Sequence, residues 1–189
     1  MTKSEIRQFI KSLKASIPNT QKEIDAFLVT SVIEKSQWFK NAHHILTYHS
    51  LPDEISTIAH FNWANDKRLY LPRVAGDSLE ILPYGNTAIG SFRIHEPIGE
   101  DIINAQEIEL AIIPGVAFDR NGARMGRGKG YYDRLLSTTN ALKIGICYDC
   151  QLLDSIPQET HDIKMDAIVT PTQQIILTHN TPWQQHNSP

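Results

Sequence analysis

The sequence predicts an α/β layered fold with a mainly parallel sheet, on three observations. Short β-type runs alternate with helical segments along most of the chain. One run, Ile108 to Ile113, is almost continuously apolar, the pattern of a strand covered on both faces. The 189 residues suit one domain, and 41% of them are hydrophobic. At that size a core forms without a disulfide or metal staple.

Taken in order, Ile6, Phe9, Ile10 and Leu13 recur at helical spacing and predict a helix over about 3–15, ended by Pro18. Thr20-Gln-Lys-Glu23 reads as a capping box. It opens a helix running to about Lys40, with Ile24, Phe27, Leu28 and Val32 on one face. His44 to Tyr48 is a strand, and Pro52-Asp53 caps a helix over about 54–64. Arg68 to Leu71 is a second strand, stopped by Pro72, and Leu79 to Leu82 a third. The stretch 83–106 holds Gly85, Gly90, Pro97 and Gly99 with little periodicity, and is expected to be a long crossover or mobile loop. Beyond the fourth strand, Ile108 to Ile113, a helix starts at Tyr131 and runs to about Ser137. Leu142–Cys147, Ala167–Val169 and Ile175–Leu177 complete the strands. The expectation is a single domain over 1–189 with a polar, frayed tail from about 179.

Charge and cysteine content exclude several classes. Lys and Arg number 18 against 21 Asp and Glu, a net charge of −3, unlike a globally basic nucleic-acid or membrane-surface protein. Two cysteines do not make a disulfide scaffold. The charged start lacks a signal-peptide apolar core, and no apolar run approaches the roughly 20 residues of a membrane span. A cytoplasmic monomer is expected.

The strongest signal lies between the fourth strand and the helix at Tyr131. Gly126, Gly128 and Gly130 alternate with Arg127 and Lys129. Glycines let a ligand approach the backbone closely, and a following helix start favours an anion. Residues 124–134 hold Arg124, Arg127, Lys129 and Arg134 against Asp133 alone, well off the balance of the whole chain. Guanidinium forks suit phosphate oxygens. The loop is not a Walker A, because Ala123 and Gly130 stand where a glycine and a hydroxyl are needed. Nor does Gly126-x-Gly128-x-Gly130 have dinucleotide-fingerprint spacing. The plain alternative is a glycine-rich turn with a solvated basic face.

The run Arg124-Met-Gly-Arg-Gly-Lys-Gly-Tyr-Tyr-Asp133 resembles the signature of the 5-formyltetrahydrofolate cyclo-ligase family. Lys3-Ser-Glu-Ile-Arg7, Tyr48 to Thr57, Leu71-Pro-Arg73, Ile94-His-Glu-Pro97 and His161-Asp162 with Asp166 are similar to further family blocks, in order over nearly the whole chain. The resemblance implies a three-layer α/β/α fold and an ATP-dependent, Mg²⁺-requiring ring closure. In that reaction the formyl oxygen of 5-formyltetrahydrofolate takes the γ-phosphoryl group. The neighbouring nitrogen then attacks, and phosphate leaves to give 5,10-methenyltetrahydrofolate and ADP.

It also implies roles. Lys3, Ser4, Glu5, Ile6 and Arg7 would contact ATP, as would Arg124, Met125, Gly126, Arg127, Gly128, Lys129, Gly130, Tyr131 and Tyr132. Arg127, Lys129 and Tyr131 would be catalytic, with Arg127 and Lys129 nearest the phosphates. Glu54 would accept from the pterin ring, with His49 and the loop residues Arg127, Gly128, Lys129, Gly130 and Tyr131 also at the folate. Asp133 and Asp166 would be the Mg²⁺ ligands. Arg73 would pair with the folate's glutamate tail or a phosphate, and His161 and Asp162 would orient the Asp166 loop. Without the resemblance, Lys3 and Arg7 read as solvated charges, Glu54 as a helix-start acid, and Asp133 as either a helix-start acid or a Mg²⁺ ligand beside phosphates. Cys147-x2-Cys150 lacks a second pair for zinc and reads as ordinary cysteines. His43-His44 reads as a strand entry, and Trp38 and Trp63 as packing aromatics. The competing functions are another ATP- or sugar-phosphate-using enzyme of this fold and a non-catalytic nucleotide or folate binder. A basic RNA-binding module fits the net charge poorly.

Overall fold

The structure, a computed structural model, describes residues 1–61, 66–90 and 94–177. Helix α1 spans Lys3–Ala15. Its capping box is formed by Thr2 and Glu5: the Glu5 amide donates to the Thr2 hydroxyl (3.2 Å) and the Thr2 amide to Glu5 Oε2 (2.7 Å). The box expected at Thr20 does not form. Helix α2 (Asn19–Lys35) begins two residues earlier, behind extended Pro18 as its N-cap, and Glu23 meets His60 Nε2 at 2.9 Å. Nor does this helix reach Lys40. Ser36 turns extended, and its hydroxyl accepts from the Phe39 amide to start a separate α3 (Gln37–Asn41).

The buried face of α2 also differs from the expected one. Ile24, Phe27 and Leu28 are exposed, while Ala26, Val29 and Ile33 are buried; of the expected face, Val32 alone packs against the core, partly buried. Two apolar stripes are present in this sequence. The one that packs carries the buried Ala26, Val29, Thr30 and Ile33.

Strand β1 (His44–Leu46) is followed by a segment with no helix over 54–61, contrary to expectation. The Tyr48 hydroxyl donates to the Ile55 carbonyl (2.6 Å), and the Thr57 hydroxyl to the Tyr48 carbonyl (2.9 Å). These bonds lay the segment back against the end of β1 and occupy groups a helix would need. Trp63 and the end of the expected helix lie outside the described residues. Strand β2 (Arg68–Ala75) runs through Pro72 and pairs with β3 (Ser78–Pro83). The proline is tolerated because β1 pairs with β2 only as far as Tyr70, so beyond it no ladder hydrogen bond is required on that side of β2.

Within the expected loop over 83–106 stand a hairpin, β4 (Thr87–Ile89) and β5 (His95–Pro97), and a 3₁₀ turn at Ala105–Glu107. Strand β6 spans Leu110–Pro114. Strands β7 (Ala117–Asp119) and β8 (Arg124–Met125) follow it, then α4 (Tyr131–Leu136), β9 (Leu142–Ile146) and β10 (Leu152–Leu153). Strands β11 (Ala167–Val169) and β12 (Gln174–Ile176) end the described fold. The tail from about 179 lies outside the described residues.

The main sheet has the order β12-β11-β9-β6-β1-β2-β3, parallel from β11 to β2 with an antiparallel strand at each edge. As the Ile108–Ile113 run predicts, β6 is buried on both faces. Leu110 and Ile112 join α2 and α3 in one core, and Ala111 and Ile113 join α4 in the other. The architecture is therefore helix, sheet, helix. A second sheet, β10-β7-β8, was not expected from the sequence. Its strands are two or three residues long, too short for an alternation to register. Ile6 and Ile10 of α1 pack on this small sheet, against Ala117, Ala123 and Met125. That contact carries the amino-terminal helix to the loop that follows β8.

Candidate active site

A crevice of about 660 Å³ opens where the chain leaves the carboxyl ends of β1, β2 and β6. Ligands of open α/β sheets gather at this edge. Its walls are α1, the 48–54 segment, the far end of β2, residues 94–96, the loop 124–133 and the turn at 159–162.

The glycine loop is the floor. Gly128 and Gly130 have φ of +103° and +66°, values that side-chain-bearing residues rarely adopt, and Gly130 caps α4. Arg7 of α1 lies across the loop, its Nε donating to the Gly126 carbonyl at 3.1 Å. Lys3, one turn earlier, pairs with Glu159 (2.9 Å) and Asp162 (3.2 Å). Burial pulls the Lys3 ammonium down, but the two acids outweigh it and raise it. Of the five residues expected to contact ATP from α1, Lys3 and Arg7 face the crevice. Ser4 is exposed off it, Glu5 closes the capping box and Ile6 is buried in the core.

Further along, Arg124 is almost fully buried and pairs with Asp133 at 3.0 Å, its guanidinium over the Tyr132 ring. Arg127 is half exposed. Its Nη2 donates to Asp53 Oδ1 (2.9 Å) and Glu54 Oε1 (3.1 Å). Glu54 is fixed from three sides: the Leu51 amide donates to Oε2 (3.0 Å), the Tyr148 hydroxyl to its carbonyl (3.1 Å), and Arg127 to Oε1. Lys129 is exposed and Met125 buried. Tyr131 lines the crevice with Arg134 over its ring, and its hydroxyl reaches the Gly76 carbonyl. Burial first, and the Glu54 charge second, push the phenols of Tyr48 and Tyr132 up, so both remain neutral hydrogen-bond donors. His49 stacks on His95 with ring centroids 4.9 Å apart. Burial, then the neighbouring imidazole, holds His49 below its ordinary value against a bond from the Ser50 backbone.

Not every expected residue arrives here. Asp166 sits at the opposite, amino edge of the sheet, where its Oδ2 accepts from the Lys143 amide (2.8 Å) and ammonium (3.1 Å). It does not line the crevice with Asp133. The reason is strand direction: Asp166 precedes β11, so it faces the end from which the parallel strands start. Among the described residues no group of three or more His, Cys, Asp or Glu could by itself hold a metal ion. Arg73 is held outside the crevice by Glu80 (2.6 Å) and the Gly99 carbonyl (2.9 Å). Asp162 fixes Lys3 and the Glu159 turn rather than orienting Asp166, and His161 lies beside both acids. Cys147 and Cys150 are unbridged thiols that burial pushes up, in keeping with ordinary cysteines. Trp38 is in the core, and His44 stacks on Tyr70 at the strand entry.

Sequence reasoning missed Lys14, Asp53 and Glu159. Lys14 had a signal, since it lies on the same helix face as Lys3 and Arg7, seven residues beyond the latter. Asp53 had none beyond its place beside Glu54, and Glu159 none at all.

The family model described as the 5-formyltetrahydrofolate cyclo-ligase family matches residues 1–171. The mitochondrial 5-formyltetrahydrofolate cyclo-ligase of Arabidopsis thaliana is 32% identical, over 89% of this chain and 73% of that protein. The 5-formyltetrahydrofolate cyclo-ligase of Escherichia coli K12 is 34% identical, over 70% of this chain and 80% of its own length. Among solved structures, the NMR structure of Aquifex aeolicus 5,10-methenyltetrahydrofolate synthetase superposes with a TM-score of 0.86 at 29% identity. That match covers 99% of this chain and 98% of the other.

Proposed function

The chain belongs to the 5-formyltetrahydrofolate cyclo-ligase family, and we infer that its crevice is where 5-formyltetrahydrofolate is closed to 5,10-methenyltetrahydrofolate, with ATP converted to ADP and phosphate. The chain is thus an enzyme, an ATP-dependent cyclo-ligase. The observation that carries the placement is Arg127, one of whose nitrogens lies within 3.1 Å of Glu54, at the junction of the phosphate-type loop and the 48–54 wall. A nucleotide held by the loop and a pterin held by Glu54 would meet at this side chain.

Phosphoryl transfer depends on positioning and charge neutralisation more than on covalent help from the protein. Lys3, Arg7, Arg127 and Lys129 supply the positive charge around the transferring group, and the amides of the glycine loop supply close donors. Arg127 and Lys129 neutralise charge on the γ-phosphoryl oxygens as the formyl oxygen takes that group. Glu54 accepts from the pterin N–H groups and fixes the ring, so that the second nitrogen faces the activated carbon. Tyr131 closes the wall between the two ligands. Closure forms the second carbon–nitrogen bond, releases the proton of the attacking nitrogen and expels phosphate with the carbon–oxygen bond.

Mg²⁺ takes few protein carboxylates and completes its shell with water and phosphate oxygens. Asp133 fits that need: it lines the crevice, and its contact with a single nitrogen of Arg124 leaves further lone pairs. Asp166 does not fit, being at the far edge of the sheet. When bound with the nucleotide, Mg²⁺ would add positive charge to the phosphate oxygens. The same reading has the enzyme act in the cytoplasm as a monomer, on ATP and a reduced folate, without nucleic acid or membrane. Among the described residues no helix is long and apolar enough to cross a membrane. The purified chain mixed with ATP, Mg²⁺ and 5-formyltetrahydrofolate is expected to develop the near-ultraviolet absorbance of the methenyl product, one ADP per product. Absence of that absorbance with a folded protein would overturn the reading.

A further inference from the structure

We propose that Asp53, locked by the buried Lys14, is a positioning residue that holds Arg127 at the junction of the nucleotide and folate halves of the site; this rests on the phosphate role of Arg127 given above. Arg127 sits between Gly126 and Gly128 on backbone with wide conformational freedom, and its side chain is 51% exposed. Its hydrogen bonds run to an acid pair outside the loop, since Nη2 bridges Asp53 Oδ1 at 2.9 Å and Glu54 Oε1 at 3.1 Å.

Asp53 in turn is set by Lys14. The Lys14 ammonium donates to Asp53 Oδ2 at 2.6 Å and to the Asp53 carbonyl at 2.8 Å. Its side chain is 4% exposed, a depth at which lysine is rare unless paired. Both of its hydrogen bonds end on this one residue, so side chain and backbone of Asp53 are fixed together. Burial works to raise the Asp53 carboxyl, but Lys14 and Arg127 outweigh it and hold it below the usual carboxylate range. Asp53 therefore stays charged wherever the enzyme is assayed near neutrality. The result is a chain of charges from α1, through the turn before Glu54, to the glycine loop. Lys14 shares the α1 face of Lys3 and Arg7, so one helix places two crevice cations and anchors a third.

A double-mutant cycle separates positioning from mere scaffolding. kcat/KM for ATP is measured in the wild-type enzyme, Asp53→Asn, Arg127→Ala and the double variant, with folding checked by circular dichroism and Tm. Asp53→Asn is expected to lose about 10-fold, because a misplaced positioning group costs up to roughly 100-fold. In the Arg127→Ala background the same change is expected to lose less than about 2-fold, because there is no guanidinium left to position. Lys14→Met is expected to follow the same pattern. If Asp53→Asn does not fold, Lys14→Met/Asp53→Asn removes both charges of the pair and replaces it in the cycle. An equal loss in both backgrounds, or none in either, with Arg127→Ala itself impaired, overturns the positioning role alone. A silent Arg127→Ala overturns the phosphate reading of Arg127 and the positioning role with it.

Discussion

At the amino edge of the sheet, Asp166 accepts from the Lys143 amide and ammonium, and Glu109 from the amides of His43 and His44. At the carboxyl edge, Asp53, Glu54, Asp133, Glu159 and Asp162 face the side chains of Lys14, Arg127, Arg124 and Lys3. Backbone amides serve acids at both edges, with the Lys143 ammonium added at Asp166, but at the carboxyl edge every one of these acids also meets a lysine or arginine side chain. A backbone amide is fixed by the strand it belongs to, and no ligand can displace it without breaking the sheet. A lysine or arginine can turn from a carboxylate to a phosphate. On the proposed reading, acids at one edge belong to the scaffold, and acids at the other hold cations for an incoming anion.

The largest expected effect tests whether burial makes an exception at the carboxyl edge. Arg124 is 3% exposed in its side chain and Asp133 13%. Asp133→Asn leaves that charge buried without its partner, a change that typically costs about 3–5 kcal/mol. Chemical denaturation is the measurement, with Mg²⁺ dependence followed alongside. A loss below about 1 kcal/mol would place this pair with the exchangeable ones.

Next, Glu54→Gln sharpens the contrast on the ligand side. The amide offers one acceptor where the carboxylate offers two, and a pterin donor left unpaired costs about 1–3 kcal/mol. Folate KM is expected to rise roughly 5- to 150-fold, in line with that range, with KM for ATP little changed. Equal damage to both substrates would assign Glu54 to the scaffold instead.

At the amino edge, Asp166→Ala leaves the Lys143 amide without its side-chain acceptor. A stability loss of about 1–2 kcal/mol is expected, read as Tm, with kcat and the Mg²⁺ requirement unchanged. A shifted Mg²⁺ requirement would break the distinction between the edges.

The smallest effect concerns pH. The folded pKa of His49 lies below its ordinary 6.5, because of burial first and His95 second. The unfolded chain therefore takes up the proton at higher pH than the folded one. Stability is lost as pH falls through about 6.5 toward the folded value. His49→Gln is expected to narrow the Tm difference between pH 7.5 and 5.5 by ~1 °C. An unchanged difference would show that His49 titrates alike in both states.

Much of the site is legible in the amino-acid order. The glycine loop is carried by a short motif whose spacing expresses local needs, φ above zero and close backbone approach; Lys3, Arg7 and Glu54 are singled out by the family resemblance, since alone they read as solvated charges and a helix-start acid. Asp166 misleads for the complementary reason. An acid beside a strand looks the same at either end, and only the direction of β11 in the parallel sheet sends it to the amino edge. The cap and spacing of the 54–61 segment suggest a helix, while hydrogen bonds with Tyr48 decide otherwise.

The doubly buried β6, the turn and glycines of the phosphate-type loop, and the family all follow from the chain's own order of residues, because each depends on neighbours along it. Three outcomes do not. Tertiary packing selects the stripe of α2 that faces the core, sets α1 on a small second sheet that carries it to the loop, and makes Arg127 bridge Asp53 and Glu54. These depend on contacts between distant segments, where close packing and the pairing of buried charges select among arrangements that local propensity leaves equal.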